Sequence, residues 1–216
     1  RIFELGIPSA LQVSITSFSN IFVQSYINFF GPSCMSGYTA YSKIDMLLFL
    51  PAQSVSLATT TFVGQNLGCG QVKRARQGVT QSILLSVGVT AALMVPVLLF
   101  SGDVVRFFIP EAESIRYGTM FLQYITPFYI LTCFNQVYAS ALRGAGNTRA
   151  PMIIMVSSYV VLRQIYLAIM AVVWNEILPI SMCYPLGWLV CCIIYMFYYY
   201  RTPLERHFKP VDNSRT

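Results

Sequence analysis

The sequence contains few charged residues and almost no histidine. Charged residues make up 10% of its 216 positions and hydrophobic residues 56%, whereas an ordinary soluble domain carries about 25% charged residues. The mean hydropathy of +0.60 is too high for a surface that faces water. The scarcity of charge therefore excludes a soluble globular domain and predicts a polytopic membrane protein.

The chemical groups of catalysis and metal binding are also scarce. The one histidine is His207, near the end of the sequence, and no apolar stretch carries a pair of acids. A serine or cysteine nucleophile would lack a nearby base, which argues against an intramembrane enzyme. The six cysteines form no CxxC pair, so we expect neither a metal site nor a disulfide framework. We predict a protein that is not an enzyme and holds no cofactor.

Nucleotide-binding motifs are missing from the two glycine-rich segments. The glycines at 64–70 are not followed by the GK[ST] of a phosphate-binding loop. The pair Gly144 and Gly146 has Arg149 where a dinucleotide fingerprint requires a third glycine. Neither segment is therefore expected to bind ATP or a dinucleotide.

Long stretches without charge divide the chain into six candidate membrane spans. A spanning helix needs roughly 20 mostly apolar residues, and five charge-free gaps reach that length, the first between Glu4 and Lys43. A sixth stretch is interrupted only by Arg163. Helices are predicted because the runs lack the alternation of a spanning strand. The predicted spans are Gly6–Phe30, Ile44–Val63, Val79–Phe100, Tyr117–Leu142, Ala150–Trp174 and Ile177–Tyr200.

The expected fold is an all-α membrane protein in which residues 1–201 form one six-helix bundle and residues 202–216 a cytoplasmic tail. With the amino terminus in the cytoplasm, most basic residues fall inside, which is the positive-inside pattern. The inner residues are Arg1, Lys73, Arg74, Arg76, Arg143, Arg149, Arg201, Arg206, Lys209 and Arg215. The outer ones are Lys43, Arg106 and Arg116. The net charge of +6 is therefore interpreted as a determinant of topology, with both ends cytoplasmic and no nucleic-acid partner.

Several residues are predicted to lie near the membrane surfaces. Asp45, beside Lys43 at the outer end of its span, is placed at headgroup level. Tryptophan and tyrosine are enriched at both interfaces of a membrane. Most of the aromatic residues near span ends are accordingly interpreted as aromatic belts, among them Trp174, Trp188, Tyr195, Tyr198, Tyr199 and Tyr200.

The first span carries a polar stripe. Five amide or hydroxyl side chains recur every four residues: Gln12, Thr16, Asn20, Gln24 and Asn28. At 3.6 residues per turn this stripe winds slowly around one side of the helix, and polar groups that face lipid are costly. Hydrogen bonds between helices would explain a few of these residues. Their number favours the alternative, which is the wall of a hydrated cavity.

The second span begins apolar and becomes polar after Pro51. A proline removes a helix hydrogen bond and bends the helix. Gln53 and five serine or threonine residues follow it, and Gly64 and Gly68 close the span. A bent polar helix suits a moving element or the lining of a site, and a static kink is the alternative. Gln53 is therefore a cleft candidate, and Pro51, Gly64 and Gly68 are candidate hinges.

The fourth span and the turn after it supply further candidates. Asn135 and Gln136 are polar residues of this span, and Pro127 interrupts it. The segment LRGAGNTRAP that follows is predicted to form a tight inner turn, in which Gly144 and Gly146 permit the bend and the proline begins the next helix. We expect the two amides in the cleft and the proline and glycines at hinges.

Arg163 lies near the middle of the fifth span. An arginine at mid-membrane costs at least about 2.5–3.5 kcal/mol, so it must meet protein acceptors or water. Two roles stay open for it. It is a structural arginine bonded to backbone carbonyls and neighbours such as Gln164, or it is a charge that lines a transport path or pairs with an acid. No acid is expected at the same depth, so a partner would have to come from outside this sequence.

The combination of these motifs resembles the multidrug and toxic compound extrusion (MATE) family. The resemblance rests on PAQSVSLATTTFVGQNLGCG at 51–70 followed by basic residues, LRGAGNTRAP at 142–151, Gly6–Ile7–Pro8, and Arg163. It covers nearly the whole chain and is to the second half of family members. It implies twelve helices in two six-helix lobes related by an axis along the membrane normal, with this chain as the C-terminal lobe. Because the sequence starts at Arg1 without a methionine, it is expected to be a piece of a longer protein.

The resemblance also implies a function. Family members export drugs and organic cations in exchange for H⁺ or Na⁺ by alternating access, so an antiporter of the bacterial inner membrane is expected. Its partners would be the lipid bilayer, the N-terminal six-helix half of the same polypeptide and small organic cations. Where one branch of the family carries an acid in the first and fourth spans of this half, the aligned residues here are Thr16 and Thr132. Thr132 thus joins the cleft candidates, and the coupling ion is expected in the N-terminal half.

Two other functions stay open. A lipid-linked saccharide flippase of a related fold would be expected to show more cations in its cleft than Arg163 alone. A membrane scaffold without transport would not need the polar stripe, although such residues can hold helices together. The leading prediction is a secondary antiporter whose cleft takes amphipathic cations through aromatic and amide contacts.

Overall fold

Helices make up nearly all of the chain in the computed structural model, which describes residues 2–204, with side chains from residue 6 onward. No strand occurs among these residues. The α-helices are α1 (Ile2–Asn28), α2 (Pro32–Gly68), α3 (Val72–Leu99), α4 (Ser101–Phe108), α5 (Ala112–Ile125), α6 (Tyr129–Gly144), α7 (Arg149–Val156), α8 (Arg163–Val173), α9 (Ile177–Ser181) and α10 (Cys183–Arg201). A 3₁₀ turn (Thr126–Phe128) joins α5 to α6, and a π-helical segment (Ser157–Leu162) joins α7 to α8. The all-α prediction is confirmed.

Each predicted span corresponds to one helix or to helices joined end to end. The fourth span is α5 with α6, the fifth is α7 with α8, and the sixth is α9 with α10. Within the described residues, four helical stretches are long and apolar enough to cross a membrane, and they correspond to the second, third, fifth and sixth predicted spans. They are Pro32–Gly68, Val72–Leu99, Arg149–Val173 and Ile177–Arg201.

The second span is longer than its charge pattern predicted. Helix α2 begins at Pro32 rather than near Ile44, because proline is well tolerated in the first turn of a helix. The charged residues Lys43 and Asp45, which set the predicted boundary, lie within α2. The short helix α4, which follows the third span, was not predicted.

The turns that follow α2 and α6 have the same structure. Gly70 after α2 and Gly146 after α6 have φ values of 71° and 87°, which a residue with a Cβ rarely adopts. In the second turn the Asn147 amide donates to the Leu142 carbonyl (2.9 Å) and the Gly146 amide to that of Arg143 (2.9 Å). This is the Schellman pattern of a helix end. The tight turn predicted at LRGAGNTRAP is present.

Helix α2 packs against α5 and α6 at two contacts between glycines. A Cβ at Gly37 would lie 2.6 Å from the carbonyl oxygen of Ser114 and 2.8 Å from the amide nitrogen of Gly118. A Cβ at Gly144 would lie 2.5 Å from the carbonyl oxygen of Thr60 and 3.3 Å from the amide nitrogen of Gly64. Small residues let helix backbones approach this closely in membranes. The backbones of α2 and of α5–α6 therefore pack directly against each other at these two points.

Helix α1 packs mainly against α7, and also against α2 and the π-helical segment. Much of its remaining surface is apolar and exposed, for example Val13 (64%) and Phe18 (62%). Exposed apolar side chains of this size also cover α3, where Leu84 is 68% exposed. Such surfaces are those expected to face lipid.

The carboxyl-terminal segment follows α10. Leu204 is buried and packs in the apolar cluster that contains Tyr138 and Tyr195. The first residues after α10 therefore pack against the bundle. The rest of the predicted tail, from residue 205, lies outside the described residues, as does Arg1.

Candidate functional site

A cavity of about 570 Å³ lies between α1, α2, α6, α7–α8 and α10. Its lining is a mixture of amides, hydroxyls, aromatic rings and a few charged groups. Of the ten cleft candidates predicted from the sequence, eight line it: Gln12, Thr16, Asn20, Gln24, Gln53, Thr132, Gln136 and Arg163. Residues that are far apart in the sequence are thus brought to one surface. Their contact with a substrate stays a prediction.

Two of the cleft candidates lie elsewhere. Asn28 is the last residue of α1, is exposed, and does not line the cavity. Asn135 is fully buried behind the wall, where its amide nitrogen donates to the hydroxyl of Tyr159 (3.0 Å) and to the carbonyl of Trp188 (3.0 Å). Asn135 therefore connects three helical segments. Residue type alone could not separate these two from the lining residues, because it shows neither where the cavity ends along α1 nor which face of α6 borders the cavity.

Two residues of α1 attach it to its neighbours. The Gln12 amide donates to the sulfur of Met155 (2.7 Å). Ser19, which is 1% exposed, lies seven residues further along and accepts hydrogen bonds from Arg163 Nη2 (2.6 Å) and Gln164 Nε2 (2.9 Å). Because seven residues are about two helical turns, both attachments lie on one side of α1. The stripe consequently serves both roles weighed from the sequence, since it bonds to helices and lines the cavity.

Arg163 is buried, at 4% exposure, and follows the π-helical segment directly. π-Helical segments occur frequently at functional sites. The guanidinium donates to Ser19 and lies 5.4 Å from the ring centroid of Tyr184. Its hydrogen-bond acceptor is a side chain of α1, whereas the structural interpretation of the sequence expected backbone carbonyls. Its Nε atom has no hydrogen-bond partner among the described residues.

Arg143 is a cavity residue that sequence reasoning missed. Its position at the end of a span suggested only a topology signal. In the structure it lines the cavity, is half-buried, and donates from Nη2 to Gln12 Oε1 (3.3 Å). Its Nε atom has no hydrogen-bond partner in the part of the chain that the structure describes. No local pattern could have shown this contact, because it joins α1 to α6 across 131 residues.

Asp45 also lines the cavity, which the sequence did not predict, and its place at headgroup level stays a prediction. The Tyr41 hydroxyl donates to its carboxylate (3.0 Å), and Tyr41 and Tyr38 line the cavity with it. The Tyr38 and Tyr184 hydroxyls are 2.6 Å apart. Residues 38, 41 and 45 are three and four positions apart and therefore share one face of α2. This spacing is the sequence pattern that could have grouped Asp45 with the two tyrosines. The neighbouring Lys43 favoured a position at the membrane surface instead.

Aromatic rings cover much of the cavity surface. Trp188, which was assigned to a membrane belt, lines the cavity, and its ring centroid lies 5.2 Å from that of Tyr129. Tyr195, assigned in the same way, is fully buried and donates to the Pro151 carbonyl (3.3 Å). Both belt assignments were wrong, because tertiary packing and not sequence position decides what a ring faces. Trp174 is exposed, as expected for a belt residue.

The six candidate hinges have different surroundings. Pro127 lies in the 3₁₀ turn that interrupts the fourth span, whereas Pro51 lies within the unbroken α2. Gly64 and Gly144 form the close contact between α2 and α6. The last two are Gly68, which ends α2, and Gly146, which takes the left-handed conformation of the inner turn. Motion at any of them stays a prediction.

The charges of the cavity lining are two arginines, Arg143 and Arg163, and one acid, Asp45. Within residues 2–204 no three histidine, cysteine, aspartate or glutamate side chains come together as ligands for a metal. The site can therefore offer hydrogen bonds, ring faces and charge to a bound molecule.

Known proteins with similar sequences and folds are membrane transporters. A family model named MatE matches residues 8–170. The probable multidrug resistance protein YpnP of Bacillus subtilis is 27% identical over 168 residues, which are 78% of this chain and 38% of that protein. Two solved structures superpose with a TM-score of 0.85 at 17% identity, each covering 98% of this chain and 48% of the other. One is MATE in the bent conformation.

The other is a MOP superfamily transporter from Pyrococcus furiosus, described as having a binding pocket of reverse polarity that suggests a different function. These two similarities show the fold. The chain spans about half the length of both structures and a smaller part of YpnP. Since the family model covers most of the sequence, the chain belongs to the MatE family of multi-pass membrane transporters.

Proposed function

We propose that this chain forms one lobe of a secondary antiporter that exports drug-like amphipathic molecules, organic cations included, in exchange for H⁺ or Na⁺. The observation that carries the proposal is the cavity itself, in which the α1 stripe from Gln12 to Gln24 meets polar and aromatic residues of four other segments. A volume of about 570 Å³ lies in the range of small-molecule sites, roughly 300–1,000 Å³. YpnP is described as a probable multidrug resistance protein, which agrees with this class of cargo.

The lining suits loosely selective binding. Rings such as Tyr129, Tyr184 and Trp188 offer large apolar contact area, and amides such as Gln24 and Gln53 offer adaptable hydrogen bonds. A cationic group over an exposed ring face would contribute about 0.5–2 kcal/mol. Because these contacts do not fix one geometry, several amphipathic molecules would be accepted.

The second lobe of the transporter would come from a six-helix N-terminal half of the same polypeptide. The chain covers 48% of the solved structures that share its fold, which supports this arrangement. Thr16 and Thr132 line the cavity as neutral hydroxyls. Because these two positions lack a carboxylate and the one acid of the lining, Asp45, accepts a hydrogen bond from Tyr41, the coupling ion is proposed to bind in the N-terminal half. Bacterial relatives and the positive-inside pattern support an inner-membrane location with both ends of this chain cytoplasmic.

The test is transport by the purified full-length protein in proteoliposomes. A fluorescent dye such as ethidium is followed while an H⁺ or Na⁺ gradient is imposed, then collapsed with an ionophore, and finally replaced by ATP without a gradient. We expect movement of the dye only with a gradient, and an ionophore for one of the two ions should abolish it. Transport that needs ATP and ignores both gradients would contradict the proposal.

A further inference from the structure

Two arginines of the cavity have no acidic partner in the described part of the chain. The Nε atoms of Arg163 and Arg143 lack hydrogen-bond acceptors there. Neither guanidinium forms an ion pair with Asp45, whose carboxylate accepts instead from Tyr41. A guanidinium withdrawn from water without a counter-charge is costly, and removing one partner of a buried pair is strongly destabilising. An anion that entered the cavity would supply the missing charge.

The two arginines lie along one wall. Arg143 bonds to Gln12 and Arg163 to Ser19, so their contacts on α1 are separated by two turns, or roughly 10 Å. The planar guanidinium matches the oxygens of a carboxylate or a phosphate and can hold them with two parallel hydrogen bonds. Both arginines line the cavity together with the aromatic ring of Trp188.

We propose that Arg163 and Arg143 each provide a binding position for an acidic group, a carboxylate or a phosphate, on an aromatic substrate. This proposal rests on the proposed transport function. It adds that the transported substrate carries a negatively charged group. A purely cationic molecule would find one acid, Asp45, and two guanidiniums in the same cavity. This wall therefore favours molecules that carry an acidic group over molecules that are only cationic.

A pair of probes with one aromatic frame and opposite charges tests the proposal. Binding of 1-pyrenebutanoate and of 1-pyrenemethylammonium to the full-length protein in detergent is measured by fluorescence anisotropy. Arg163→Gln should weaken binding of the carboxylate about tenfold or more, as expected for the loss of a hydrogen bond to a charged group. Binding of the ammonium probe should stay unchanged or become tighter. Arg143→Gln should change the two affinities in the same directions.

Matched variants separate binding from folding. Arg163→Lys keeps the charge and should retain part of the carboxylate affinity. Arg149→Gln removes an exposed arginine at the start of α7 that does not line the cavity, and it should change neither affinity. Competition by 1-naphthoate and by 1-naphthyl phosphate ranks carboxylate against phosphate. If Arg163→Gln fails to fold, Arg143→Gln carries the test.

Some results would overturn the proposal. Carboxylate binding that survives both glutamine substitutions would mean that the arginines pair with an acid elsewhere in the full-length protein. Equal loss of both probes would show that the arginines only maintain the shape of the cavity. A protein that binds the carboxylate through Arg163 but moves neither ethidium nor 1-pyrenebutanoate under any gradient would contradict the proposed function and leave the anion site standing.

Discussion

The two sides of this bundle are held together by different means. Helix α2 meets α5 and α6 through glycines, so closely that a Cβ at Gly37 or Gly144 would lie within 2.6 Å of a backbone oxygen. Helix α1 meets α7 and α8 through polar side chains, with Ser19 accepting hydrogen bonds from Arg163 and Gln164. The glycine contacts of α2 leave no space for water or substrate between the helix backbones. The second contact includes Arg163, which lines the cavity.

The difference indicates that the two sides of the bundle have different roles. Backbone contact between glycines is rigid, because neither partner has a side chain that can move away. Hydrogen bonds between side chains can exchange partners with water or a ligand at a cost of about 1 kcal/mol each. We therefore expect α2 with α5–α6 to form a stable frame, and α1 with α7–α8 to be the side that responds to a bound molecule.

Adding bulk at the glycine contacts should have the largest effect. Gly37→Leu and Gly144→Leu would each force two helices apart and lower the free energy of unfolding by about 3 kcal/mol or more. Thermal unfolding of the full-length protein in detergent measures this. Gly88→Leu is the matched control, because Gly88 lies in α3 with nothing within 4 Å of its Cβ position. Equal tolerance of all three leucines would remove the distinction between the two sides.

Loss of the central hydroxyl on the polar side should have a smaller effect. Ser19→Ala deprives Arg163 of its hydrogen-bond acceptor and should lower the free energy of unfolding by about 2 kcal/mol, as for other hydrogen bonds to charged groups. The control is Ser54→Ala, since Ser54 is exposed and bonds only to the Leu50 carbonyl of its own helix. A Ser19 variant as stable as this control would mean that water replaces the hydroxyl at no cost.

A third substitution acts on the cavity lining of α2. Tyr38→Phe removes the hydroxyl pair with Tyr184 and should cost about 1 kcal/mol. Tyr124→Phe, at an exposed position of α5, is the control and should be neutral. Thermal unfolding of the two variants under one condition compares them. A larger loss for Tyr124 would show that this hydroxyl pair does not hold α2 to α10.

Features set by local periodicity were predictable from the sequence, and features set by tertiary packing were not. The α1 stripe repeats every four residues, so four of its five members could be placed on the cavity wall from the sequence. The inner turn at Gly146 follows from its glycines. Arg143 and Asp45 were missed because their cavity positions depend on how α6 and α2 pack against distant helices.

The π-helical segment before Arg163 was not predicted either. Its residues, SSYVVL, carry no proline or glycine that would mark an irregular helix. Contacts with α10 accompany it, since Gly187 lies against the Ser158 carbonyl. Because the π-helical geometry depends on contacts with α10, the residues of the segment themselves show no pattern that predicts it.

The most direct test of the central claim compares two members of the α1 stripe. Gln24 lines the cavity and Asn28 does not, although the two occupy equivalent positions in the repeat. Gradient-driven dye transport is measured in proteoliposomes that contain the full-length protein with Gln24→Leu or with Asn28→Leu. If the cavity is the substrate path, Gln24→Leu should lower transport strongly while Asn28→Leu stays close to the wild type. Equal transport by the two variants, or a loss confined to Asn28→Leu, would contradict the assignment of this cavity.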